Sequence, residues 1–168
     1  MMGDVLYPLN ELKKYHPETF DSHAKKYKGR EALMERQVPS LNCLWNDVIH
    51  LSPINPQIIL DIWEEHGLKT LDKEFPTYKI PVEELKGEKL IYFDPQVYQY
   101  GNFEFSEKQV RPFVMEEYEE LDTVSQQQID VWKKDRSEGR QMFWFSHTTH
   151  VLYQGAVDIS NAEIILCK

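Results

Sequence analysis

Two triplets in this sequence set an imidazole two residues from a hydroxyl: His50-Leu51-Ser52 and His147-Thr148-Thr149. On an extended strand, residues i and i+2 share a face. Each triplet would then aim a proton-transfer group and a hydrogen-bond donor in one direction. Two such strands side by side could hold two histidines across a phosphate, one as general base and one as general acid. The second triplet lies in the densest apolar run of the chain, Phe143-Trp144-Phe145-Ser146-His147-Thr148-Thr149-His150-Val151-Leu152-Tyr153. His50, Ser52, His147 and His150 are therefore the candidate catalytic residues.

Each has a plainer reading. His50 is a lone polar side chain in the strand-like run Val48-Ile49-His50-Leu51, where an unpaired imidazole is costly to bury. A ligand would resolve that cost functionally, and a backbone carbonyl would resolve it structurally. His147 and His150 are three apart, so on one strand they point to opposite faces and cannot share a metal; only a turn would let them. The plainer reading of the His150 ring is a satisfied core or interface histidine. No metal site is expected: Cys43 and Cys167 lack the spacing of a zinc centre.

The elements that must position these residues follow from periodicity and punctuation. Pro17 opens a helix through Phe20, Ala24 and Tyr27 that Gly29 closes, and a short helix follows from Arg30 to Gln37. Asp47–Ser52 reads as a strand ended by Pro53. Asn55 caps the next helix, with Pro56 first and Ile59, Ile62, Trp63 and His66 on one face up to Gly67. Tyr78–Pro81 and Lys89–Phe93 read as strands, and Pro81–Gly87 as a helical turn. Pro112–Leu121 and Ser125–Glu138 are expected helices, the second with Val124 and Ile129 at staple spacing. Gln141–Phe145, Thr149–Gln154 and Ala162–Cys167 complete the chain as strands. Phe143, Phe145, Val151, Ile164, Leu166, Ile59 and Ile62 are the expected core, and the His50 strand should join the sheet of the last strands. The fold class is α+β, a mostly antiparallel sheet with C-terminal strands and with helices in the N-terminal and central parts. Residues 1–168 form one expected domain, since 168 residues suit a single core.

Two family resemblances bear on the histidines. The paired triplets resemble those of two-histidine phosphoesterases, a likeness that covers six residues. The strand with His50 and Ser52, the helix after it and the exit His66-Gly67-Leu68 look like the opening unit of ADP-ribosyltransferase-like domains. That resemblance implies that His50 and Ser52 would hold the nicotinamide-side ribose of NAD. It makes Tyr92 a cofactor-binding aromatic, stacked on the nicotinamide. The late segment His150-Val151-Leu152-Tyr153-Gln154-Gly155 would put His150 where such domains carry a catalytic glutamate. The missing acid leaves enzyme activity open, and the cofactor is unknown.

Charge and composition narrow the partners. The net charge of −9 argues against non-specific nucleic-acid binding, because phosphates need a basic surface. The excess gathers at Glu116, Glu117, Glu119, Glu120 and Asp122. Apolar runs are too short to span a bilayer, no secretory signal opens the chain, and the few cysteines fit a reducing cytoplasm. There is no phosphate loop, dinucleotide fingerprint, nucleophile elbow or zincin motif. What remains is a soluble cytoplasmic domain binding a small or nucleotide-like ligand near His50. The alternatives are an enzyme of either resembled type and a non-catalytic protein-interaction domain with no partner named.

Overall fold

The computed structural model describes residues 3–29, 31–68, 74–85, 89–95, 106–140, 142 and 147–168. In chain order it gives β1 (Val5–Leu6), α1 (Leu9–Tyr15), α2 (Pro17–Ala24), β2 (Gln37–Val38), β3 (Cys43–Leu44), β4 (Ile49–Leu51) and α3 (Pro56–Glu65). Then follow β5 (Phe75–Lys79), β6 (Leu90–Phe93), β7 (Val110–Pro112), α4 (Gln126–Ser137), β8 (His150–Tyr153), β9 (Val157–Asp158) and β10 (Glu163–Cys167). The fold is α+β with antiparallel ladders and C-terminal strands.

A four-stranded sheet in the order β4-β8-β6-β7 forms the centre. His50 lies opposite Leu152 and Phe93 opposite His150, so the His50 strand does join a late strand. Side chains alternate across the pleat. One face buries Ile91, Phe93 and Leu152 beneath Val38, Cys43 and Val48. The other buries Leu90, Tyr92, Val151 and Tyr153 against Leu85, Val157 and Ile159. A third cluster joins α3 to α4 through Ile59, Trp63, Ile129 and Trp132. The two indoles meet edge to face, with ring centres 5.5 Å apart.

The cap residues act as their types require. The Asn55 side chain accepts from the Gln57 amide at 3.0 Å, and Ser125 accepts from Gln128 at 3.3 Å. Gly67 adopts φ +60°, and Leu68 donates back to the Trp63 carbonyl, which closes α3 in a Schellman turn. After α2, Lys25–Tyr27 and Glu31–Glu35 form only short 3₁₀ turns.

Two expectations about helix and core are overturned. Pro112–Leu121 is not an α-helix. Pro112 ends β7 opposite Ile91, one 3₁₀ turn covers Met115–Glu117, and Leu121 bridges to Ile54. Glu116, Glu119, Glu120 and Asp122 would be neighbours three and four apart on a helix, and like charges at that spacing repel. Ile164 and Leu166 are also not core, at 61% and 60% exposed. Among the described residues β10 pairs only with β5, and it turns Cys167 and Ile165 inward instead. Phe143, Phe145 and the Gln141–Phe145 strand lie outside the described residues, apart from Met142, which is buried.

Candidate functional site

β4 sets His50 on the face of the sheet that carries Phe93 and Leu152. Its Nε2–H donates to the Trp45 carbonyl at 3.2 Å. The Trp45 indole packs on it, with ring centres 4.2 Å apart. His150 stands on the neighbouring strand and the same face, edge-on to His50 at 6.0 Å between ring centres. Burial pushes the His50 imidazole down to about 4, against a smaller opposing pull from the Trp45 hydrogen bond. His50 is therefore neutral at pH 7. The structure brings these two histidines together, but inside a packed layer.

The other candidates are placed elsewhere. β4 ends at Leu51, so Ser52 does not extend the His50 face. Its hydroxyl donates to the Ile54 carbonyl at 2.7 Å and accepts from the Ile54 amide at 3.2 Å, which forms the turn into α3. Tyr92 lies on the opposite face of the sheet from His50. The Arg111 guanidinium sits over its ring at 3.6 Å, and Phe113 packs beside it at 4.9 Å.

His147 is in a turn with φ +66°, not on a strand. Its Nε2 lies 3.9 Å from the buried Asp135 carboxylate, which Arg140 holds at 2.9 Å. Burial lowers the His147 pKa, while Asp135 opposes the shift. His147 and Thr149 border a small cavity of about 150 Å³ with Asp94 and Ser125. His50 and His147 thus line different cavities and do not face one another. Among the described residues, no group of three His, Cys, Asp or Glu is arranged to hold a metal.

A larger cleft opens on the other side of the central sheet. It measures about 700 Å³ and lies between β4 and β8 on one side and the β5–β10 ribbon on the other. His50 and Ser52 border it where β4 ends, although the His50 ring turns away toward Trp45. Leu51, Leu85 and Val151 make its apolar floor, Phe113 and Tyr118 its aromatic wall. These two rings stack at 5.5 Å and 29°. Burial raises the Tyr118 phenol above its ordinary pKa, and Glu120 adds to this. Lys79, Glu83, Glu120 and Glu163 are its charged residues among those described, with Lys79 paired to Glu120 at 3.0 Å.

No protein-family model matches this chain, and neither a curated protein nor a solved structure does. Its function must therefore be argued from its own residues. Sequence reasoning missed Phe113 and Tyr118 because the acidic stretch around them was assigned to a helix. The available signal was that five-residue spacing does not make a helical stripe, which recurs at three and four.

Proposed function

We propose that this protein binds a small organic molecule in the cleft beside the end of β4. The single observation that carries the reading is the cleft itself: about 700 Å³, mainly apolar, with a stacked aromatic wall and a few polar groups at its rim. That size and lining are typical of ligand sites. The buried histidines serve the scaffold in this reading. His50 satisfies its ring on a backbone carbonyl, and Ser52 forms the turn that shapes the rim.

The test is a thermal-shift screen of chemically varied small molecules that includes NAD, cyclic nucleotides and hydrophobic amines. A ligand that binds only the native state raises its melting temperature. The expected hit loses its effect in Tyr118→Ala, while circular dichroism of that variant stays native. If no compound stabilises the protein, or if every hit is indifferent to Tyr118→Ala, the cleft is not a ligand site. A non-catalytic interaction domain then takes its place.

One observation favours a second reading. His50 and His150 lie on adjacent strands of one sheet face, and they are the residues to which the resemblance to ADP-ribosyltransferase-like domains gives the ribose-holding and catalytic roles. The roof of Val38, Cys43 and Trp45 would have to lift for NAD to reach them. NAD turnover lost in both His50→Gln and His150→Gln would support this reading. Absence of turnover by the native protein rejects it.

A further inference from the structure

We infer that the cleft selects an organic cation, an ammonium carried on an apolar or aromatic body, over an anionic or phosphorylated ligand. The inference rests on the cleft being a ligand site and names the ligand class. Among the described residues, its charged lining consists of three carboxylates, Glu83, Glu120 and Glu163, and one ammonium, Lys79. Lys79 is taken by Glu120 at 3.0 Å, and it lies directly across the β5–β10 ladder from Glu163. Among the described residues the rim is thus negative, and no arginine stands in it. A phosphate entering there would meet carboxylates and an already neutralised lysine. An ammonium would meet uncompensated negative charge.

The aromatic wall points the same way. Ring faces carry negative potential and attract cations within about 6 Å of the centroid. Tyr92, Phe113 and Tyr118 form a continuous ladder, with centres 4.9 Å and 5.5 Å apart. One end already holds a cation, the Arg111 guanidinium at 3.6 Å over Tyr92. The other end, Tyr118, lines the cleft beside Glu120. His50, neutral at pH 7, adds no compensating positive charge at the rim.

Three probes of matched shape test this: 4-phenylbutylamine, 4-phenylbutanol and 4-phenylbutyrate, titrated by NMR into the intact chain at low salt. The amine should bind about fivefold more tightly than the alcohol, as one cation–π contact plus a screened rim charge allows, and the butyrate most weakly. The preference should collapse toward unity in the double variant Glu83→Gln/Glu163→Gln and shrink in 1 M salt. It should survive in Glu116→Gln/Glu117→Gln, which removes the same charge outside the cleft. Butyrate binding as well as the amine, or a preference lost equally in both double variants, overturns the inference while leaving the cleft as a ligand site. If no probe shifts cleft resonances, the inference falls, and the reading beneath it stands or falls with the wider thermal-shift screen.

Discussion

Consider acidifying this protein from pH 7 to pH 5. In the unfolded chain His50 takes up a proton with an ordinary pKa of 6.5, while in the fold burial holds it to about 4. Between those values the unfolded state binds more protons, so acid favours unfolding. The contribution of a neutral His50 is fully present above pH 6.5 and is lost as pH falls toward 4. At pH 5 the unfolded state gains stabilisation by a factor of about 30, and at pH 7 it gains almost none, which leaves a loss of about 2 kcal/mol. With a urea slope near 2 kcal/mol per molar, the midpoint should fall by about 1 M. His50→Gln keeps a donor for the Trp45 carbonyl but cannot titrate. Urea unfolding of both proteins at pH 7, 6 and 5 isolates the term, because His147 and the carboxylates contribute equally to each. Parallel pH dependences would refute the reasoning. So would an NMR titration placing the His50 ring above pH 6.

Further outcomes follow from packing and backbone geometry. Ile59 is fully buried between α3 and α4, so Ile59→Ala should cost about 2–5 kcal/mol in chemical unfolding. Ile164→Thr, on the exposed side of β10, should change stability by no more than about 0.5 kcal/mol, measured the same way. Gly155 has φ +142°, and an added Cβ would stand 3.3 Å from the Tyr153 ring, so Gly155→Ala should lower the melting temperature measurably. Ser125→Ala removes the acceptor for the Gln128 amide and should cost about 1 kcal/mol.

Local signals in the sequence were reliable where one residue does one job. Asn55, Pro56 and Gly67 mark α3, and Ser125 with Val124 and Ile129 marks the start of α4. β6 and β8 announced themselves by apolar β-formers. Context decided the rest. The rule that i and i+2 share a face joined Ser52 to His50 only if the strand continued, and Pro53 turned the chain instead. Polarity could not say which side of β10 faces inward, because its residues are apolar on both. The cleft was invisible for another reason. Its walls come from β4, β5, β8, β10 and the Phe113–Tyr118 segment, so no spacing along the chain encodes it.

That two-sided strand has a consequence for how the molecule folds. In Glu163-Ile164-Ile165-Leu166-Cys167, a slip of one residue against β5 would send Ile164 and Leu166 inward and Ile165 and Cys167 outward. The apolar content of the buried side would barely change, so hydrophobicity alone scarcely separates the native pairing from its neighbour. The choice falls to specific contacts. Cys167 fits a fully closed slot, 3.6 Å from the Thr77 hydroxyl. Gln57 on α3 grips the next residue twice, accepting from the Lys168 amide at 2.9 Å and donating to its carbonyl at 2.6 Å. A single glutamine on a helix thus serves as the gauge against which the last strand is set, and a chain that pairs β10 with β5 before α3 is in place has no such gauge.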